Sequence, residues 1–296
     1  MARTVILPDV PSLAGLYARG AVSSGRLALA RRTGRAAATL PDVTYTVQDV
    51  QADPERLTAY QHLLGEPASD ELPAGFVHVL AFPVATALMT RSDFPLPLAG
   101  LVHVANRVEQ RRPLRLGEPL DVHAHATALR AHRSGTQVDL VTEVCVTGFP
   151  GEPAWRGVST YLAKGVWTGA GTADDGPRAR FDPPLPTGRW DLRADTGRRY
   201  ATVSGDRNPI HLSALSARAF GFRRAIAHGM YTAARLLAIV GARRGPAFVW
   251  SVDFAAPVLL PGTVAVRVAP RGDGWTLAAW EPRGGKPHLT GSVGTL

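Results

Sequence analysis

Asp206 and His211 stand five residues apart in Ser204-Gly-Asp-Arg-Asn-Pro-Ile-His211, on either side of Pro209. Proline fixes its own φ and pushes the preceding Asn208 away from helical angles, so a turn here can aim both side chains into one cleft. A carboxylate beside an imidazole supplies two titratable groups that trade protons near neutral pH. Addition of water across an activated double bond needs such a pair, because the water loses one proton while the α-carbon gains another. Addition at the β-carbon also builds negative charge on the conjugated carbonyl oxygen, which calls for donors aimed at that oxygen. Ile226-Ala-His-Gly-Met230 offers one. Gly229 precedes a predicted helix, where an N–H lacks an intrahelical partner and lies at the positive end of the dipole, and a glycine lets a substrate approach the backbone closely.

The elements that must position these residues are legible in outline. Met230–Val240 (MYTAARLLAIV) is apolar and long enough for a helix, with Gly241 as its cap. Phe248–Phe254, Val264–Ala269 and Trp275–Trp280 follow as short runs separated by Pro and Gly, the pattern of antiparallel strands. In the first half, Val77–Thr90 matches the helix, with Pro83 expected to shorten or kink it. The strands expected after it are Val102–Val108, Leu120–Leu129, Gln137–Thr147 and Val158–Leu162. A helix against an antiparallel sheet, twice, is an α+β fold.

This second appearance reflects an internal duplication. Gly151-Glu-Pro-Ala-Trp-Arg-Gly157 pairs with Gly285-Lys-Pro-His-Leu-Thr-Gly291 at an offset of 134, and Tyr60 and Gly65 pair with Tyr200 and Gly205 at an offset of 140. Arg112-Pro-Leu-Arg-Leu-Gly117 resembles Ala256-Pro-Val-Leu-Leu-Pro-Gly262 between them. A Gly-, Pro- and charge-rich stretch, Gly169–Gly188, reads as a linker. The expected organisation is one unit over 1–165, a linker over 166–190 and a second unit over 191–296. Glu66 falls where the repeat places Asp206, but Pro67-Ala-Ser-Asp70 follows and no histidine answers His211. One active site is therefore expected.

Composition constrains the chain less. Its 296 residues are 45% hydrophobic, enough for one large core or two ordinary ones. Of 33 basic residues only Lys164 and Lys286 are lysine, and the net charge is +9; arginine suits phosphate and carboxylate partners. The lone Cys145 allows no intrachain disulfide and reads as a buried strand residue. Val5–Leu29 is broken by Pro8, Asp9, Pro11, Arg19 and Arg26, and no apolar run reaches membrane-spanning length, so the expectation is a cytoplasmic protein without membrane insertion.

Other candidates have plainer readings. His123 and His125 share a strand face and, with His103 or His132, could be drawn as a metal site, but no carboxylate or cysteine cluster completes it, and no metal is expected. Arg111, Arg112 and Arg115 read as a solvated loop rim. Leu236 and Leu237 belong to the core, and His228 reads as a packing or supporting residue.

The run Tyr200, Ser204-Gly205-Asp206, Asn208-Pro209, His211, Phe220-Gly-Phe222 and Ile226-Ala-His-Gly-Met230 resembles the signature of MaoC-like, R-specific enoyl hydratases of the hot-dog superfamily. Across the chain, a degenerate first half before a motif-bearing second half is similar to the actinobacterial double-hot-dog enzymes called 3-hydroxyacyl-thioester dehydratase X. Phe94-Pro95, Asn106, Val138-Asp-Leu-Val-Thr142 and Pro257-Val-Leu-Leu-Pro261 add to that likeness. The resemblance implies two sheets, each wrapped round a helix and joined as a pseudo-dimer. It implies that Asp206 and His211 hold and activate one water and that the Gly229 N–H binds the thioester carbonyl. Asn208, Ser204 and Gly205 would then orient and shape the loop, while the first half widens the acyl tunnel. The implied reaction interconverts a (3R)-hydroxyacyl thioester and its trans-2-enoyl form in fatty-acid metabolism. No separate cofactor is implied, since coenzyme A or acyl carrier protein is part of the substrate.

Other classes make different demands. A hot-dog thioesterase would use a carboxylate and a water, but the Asn-Pro-x-His context favours hydration. A basic module for RNA or membrane would cluster its arginines among exposed aromatics, whereas they are spread over both halves, so no nucleic-acid partner is expected. The intact pair argues against an inactive subunit. A monomeric pseudo-dimer or a homodimer is expected.

Overall fold

The computed structural model describes residues 3–32, 39–149, 151–169 and 180–296; the centre of the expected linker, 170–179, lies outside them. In chain order the elements are β1 (Arg3–Ile6), α1 (Leu13–Arg32), β2 (Val43–Val50), α2 (Pro54–Leu64), α3 (Ala74–Met89), β3 (Leu101–Gln110), β4 (Leu120–His132), β5 (Gly135–Val146) and β6 (Trp155–Lys164). The second half gives β7 (Gly188–Leu192), α4 (Thr196–Ser204), α5 (Pro209–Leu212), α6 (Ala214–Ala219), α7 (Gly229–Val240), a 3-10 turn (Gly241–Arg244), β8 (Phe248–Phe254), β9 (Gly262–Arg271), β10 (Gly274–Trp280) and β11 (Pro287–Gly294).

The strands follow their side-chain period. In β4, Leu120, Val122 and Ala124 are fully buried while their neighbours reach the surface, the alternation of a sheet with one covered face. Helix α3 is apolar on all sides and nearly every residue is buried. It runs on through Pro83 to Met89, so the expected shortening does not occur. A mid-helix proline costs about 3 kcal/mol, while each large apolar side chain buried along α3 returns roughly 1.5–3 kcal/mol.

Strand order exposes the repeat. One half pairs as β2-β4-β5-β6-β3 and the other as β7-β9-β10-β11-β8. Matching the two element by element sets β2 against β7, β4 against β9, β5 against β10, β6 against β11 and β3 against β8. Helix α2 then answers α4, and α3 answers α7. Within each half, the pairings β4–β5, β5–β6, β9–β10 and β10–β11 are antiparallel. The first half adds β1, parallel to β2. A five-stranded sheet with one long apolar helix, present twice, is the double hot dog of the α+β class.

The division between the compact units falls within the expected linker, but the units do not keep to the halves on either side of it. The first gathers Met1–Gln51, Leu80–Val104 and Pro119–Arg178; the second gathers Ala52–Val79, Ala105–Glu118 and Ala179–Leu296. Helix α2 and the first turns of α3 belong with the motif-bearing half because they pack on α4 and α7. A side chain at Gly75 would come within 2.9 Å of Ala234 Cβ, and Tyr60 meets Tyr200 with ring centroids 6.4 Å apart. Among the described residues, no helix is long and apolar enough to cross a membrane.

Candidate active site

Helix α4 ends on Gly205, whose φ of 75° lies in the left-handed region that suits glycine, and the Gly205 N–H donates to the Ala201 carbonyl. This reversal turns the chain into Asp206. Ser204 Oγ donates to the Tyr200 carbonyl and accepts from the Asp206 N–H. The Asp206 carboxylate then closes a turn of its own, Oδ1 accepting from the Asn208 N–H at 3.1 Å. Asn208 caps α5 by accepting from the Ile210 N–H, with Pro209 at the first helical position. His211 follows on α5, 8% exposed.

The orientation of His211 comes from elsewhere in the chain. Its Nδ1 lies 2.9 Å from the Ile226 carbonyl oxygen. A carbonyl only accepts, so Nδ1 carries the hydrogen and Nε2 keeps a lone pair. Ile226 is held in turn: its N–H donates to the Ile210 carbonyl, the Ala227 N–H donates to Val258, and the Leu260 N–H donates to Ala225. Pro257–Pro261, noted in the sequence only for its likeness, is thus the edge that fixes Ala225–Ala227. Burial lowers the His211 pKa against the opposing charge of Asp206, so the imidazole is neutral near pH 7.

Helix α7 begins at Gly229, one residue earlier than the sequence suggested, and His228 occupies its N-cap. The Gly229 N–H has no hydrogen-bond partner among the described residues, and Gly229 is partly exposed. A Cβ there would come within 2.9 Å of the Phe254 ring, so glycine is needed for packing as well as for access. His228 is buried, its ring stacked on His211 at a centroid distance of 3.6 Å.

Asp206, His211 and His228 present ligating atoms within 4.8 Å of one another. A cation there would compete with existing bonds, since His211 Nδ1 serves Ile226 and His228 Nε2 lies 3.0 Å from the Asp206 carbonyl oxygen. The donors left over are the Asp206 carboxylate and the second nitrogen of each imidazole. The histidines considered from sequence do not gather: His123 Nδ1 bonds Thr46 Oγ1, His132 Nδ1 accepts from the Ser134 N–H, and His103 stacks on Tyr161. Arg112 and Arg115 are ion-paired within their own neighbourhood, to Glu118 and to Asp70 and Glu71. Cys145 lies on β5 as expected but is half-buried. Leu237 is fully buried in α7.

Two residues near the site were not visible in the sequence. Arg56 on α2 donates Nε to the Val203 carbonyl at 2.7 Å and Nη2 to the Ser204 carbonyl at 3.1 Å, capping α4 just before Asp206. No local pattern reveals a partner some 147 residues away. His78, buried on α3, feels the charge of Asp206, which opposes a burial effect that takes its pKa down to about 4. A histidine in an otherwise apolar helix was the available signal.

The first repeat has the same turn without a counterpart of His211. Gly65 caps α2 with the same φ of 75°, and Glu66 follows, buried near Arg244, with its pKa raised by burial and lowered less by that arginine.

Arg56→Ala should lower unfolding stability by about 2 kcal/mol, the scale of charge-assisted hydrogen bonds. Arg56→Lys, which reaches a single carbonyl, should recover at most half. An unchanged denaturation midpoint would show that α4 does not depend on this cap. Glu66→Gln should leave turnover within about threefold. Since the carboxylate titrates higher when folded, wild-type stability falls as pH rises through the glutamate range. The variant should therefore melt higher than wild type at pH 7, with the gap closing near pH 4; a variant that melts lower at pH 7 would mean that Arg244 more than offsets the burial.

Known proteins resemble this chain over most of its length. The MaoC like domain matches residues 177–275. The chain is 37% identical over 271 residues to 3-hydroxyacyl-thioester dehydratase X of Mycobacterium tuberculosis, covering 92% of this chain and 94% of that one. The crystal structure of HtdX of M. tuberculosis matches with a TM-score of 0.75 at 37% identity, over 86% of this chain and all of that one. A shorter likeness, 44% over 73 residues, covers 23% of this chain and 46% of the 3-hydroxybutyryl-CoA dehydratase of Methylorubrum extorquens. With 92% of its length matched at 37% identity to that dehydratase of M. tuberculosis, the chain belongs to the MaoC-like dehydratases.

Proposed function

We propose that the protein interconverts (3R)-3-hydroxyacyl thioesters and trans-2-enoyl thioesters, with Asp206 and His211 as the acid/base pair and the Gly229 N–H as the oxyanion donor. The observation that carries this reading is the His211 Nδ1–H bond to Ile226, which leaves Nε2 as an acceptor in the same cluster as the Asp206 carboxylate. One water can donate one hydrogen to Nε2 and the other to the carboxylate, leaving its oxygen lone pairs for C3 of the enoyl group. As the C3–O bond forms, the pair takes one proton from the water. The electron pair of the C2=C3 bond moves onto C2 and the thioester oxygen, where the Gly229 N–H and the positive end of α7 stabilise it. C2 then takes a proton from the pair, which ends in its starting state. Dehydration is the reverse.

The names of the relatives support an acyl-thioester substrate, and the R configuration and a place in fatty-acid metabolism follow the motif resemblance. The carrier, coenzyme A or acyl carrier protein, is part of the substrate, so no further cofactor enters. Ser204, Gly205 and Asn208 set the path of the loop. On this reading 1–165 and 191–296 are the two repeats, joined by 166–190, with chemistry confined to the second, in a cytoplasmic pseudo-dimer or its homodimer.

Asp206→Asn and His211→Ala should each lower hydration of a trans-2-enoyl thioester by about 100-fold or more while remaining folded, the usual scale for a positioned acid or base; near-wild-type turnover in either would overturn the assignment. Protonating His211 removes the acceptor, and its pKa is depressed. Hydration should therefore hold steady from pH 8 down through the ordinary histidine range and fall only below it. A fall beginning above that range would contradict a neutral, buried His211.

A further inference from the structure

His228 takes no part in the proton steps above, yet it touches every group that does. Its Nε2 lies 3.0 Å from the Asp206 carbonyl oxygen and 3.6 Å from Asp206 Oδ2. A carbonyl accepts only, so Nε2 bears the hydrogen and Nδ1 is a bare lone pair. Among the described residues Nδ1 is buried without a hydrogen-bond partner, a defect that calls for a reason. One side of the ring stacks on His211, with centroids 3.6 Å apart and planes 23° from parallel. Tyr200 lies against it at 4.8 Å. The next residue is Gly229.

We infer that His228 is a positioning residue, whose Nε2–H bond to the Asp206 carbonyl and stack on His211 lock the acid/base loop to the first residue of α7. This rests on the functional reading above. One ring thereby sets three things: the main chain that carries the Asp206 carboxylate, the plane of the His211 imidazole, and the place of the Gly229 N–H. The groups facing it are Asp206 on the loop after α4, Tyr200 on α4 and His211 on α5. Burial and the neighbouring His211 push its pKa down to about 3 against the charge of Asp206, so it stays a neutral donor and does not compete as a second base. A role as packing alone would need its volume but not its hydrogen.

Gln and Met separate the two, being alike in length and equally without the ring, while only Gln keeps a donor near the position of Nε2. His228→Gln should keep kcat for enoyl hydration within about fivefold of wild type and His228→Met should lose about 30-fold or more, with KM within about threefold in both. Equal kcat values for Gln and Met would overturn the inference. Asp206→Asn, assayed in parallel, isolates the functional reading: if it stays active that reading fails, whereas if it is dead and Gln equals Met only the positioning role fails. Histidine nitrogen NMR of the wild-type protein gives an answer independent of how the variants fold. His228 should be the neutral Nε2–H tautomer from pH 8 to pH 5, and an Nδ1–H tautomer or a cation at pH 6 would overturn it.

Discussion

The site depends on one hydrogen bond, from His211 Nδ1 to the Ile226 carbonyl. Without it the imidazole would be free to carry its proton on either nitrogen and to turn about its own axis. With it, the accepting nitrogen is fixed and the ring plane is set. The bond in turn requires that Ile226 be immobile, which explains why three main-chain bonds converge on Ala225–Ala227, from Ile210 on one side and from Val258 and Leu260 on the other. The segment that holds the base also leads directly into the cap of α7. On the proposed reading, acid/base chemistry and oxyanion binding are therefore two ends of one short piece of chain.

Electrostatics follow from burial. Three histidines, His78, His211 and His228, are buried around a single carboxylate, and for each the loss of solvent outweighs the attraction of Asp206. They stay neutral, and the charge in this cluster is that of Asp206. No Asp or Glu occurs between Arg207 and Val252, so nothing in that stretch competes with it. The first repeat shows what the turn alone achieves. Gly65 reverses the chain as Gly205 does, and Glu66 is delivered to a buried position, but Pro67 leads into a loop with no α5 and no imidazole. The same cap thus places a carboxylate that lacks the imidazole partner of Asp206.

Much of this was legible in the sequence where the determinants are local. The turn around Pro209, the helix following Gly229 and most of the strands follow from residue types within a few positions, and the 134- and 140-residue offsets showed that the fold was doubled. What escaped was set at long range. Arg56 reaches Val203 and Ser204 across the chain, and α2 packs with α4, so the compact units do not coincide with the halves on either side of the linker. Helix α3 runs through Pro83 because burial on all its sides outweighs one missing hydrogen bond. Helix α1, a 20-residue element, was missed because its small and polar residues lack the apolar period that betrays α7. His228 was read as a packing or supporting residue, and the bond that specifies its role, to a carbonyl 22 residues away, was not visible.

The central claim is that a water held by Asp206 and His211 adds to C3 and that a proton passes to C2. Isotopic tracing tests it most directly. A trans-2-enoyl thioester is incubated with the enzyme in deuterated, ¹⁸O-enriched water, and the product is analysed by mass spectrometry and chiral chromatography. The account predicts an intact thioester bearing one ¹⁸O at C3, one deuterium at C2 and the R configuration at C3. Release of free thiol with ¹⁸O in a carboxylate and no label at C2 would contradict it, because the same water would then have attacked the thioester carbonyl.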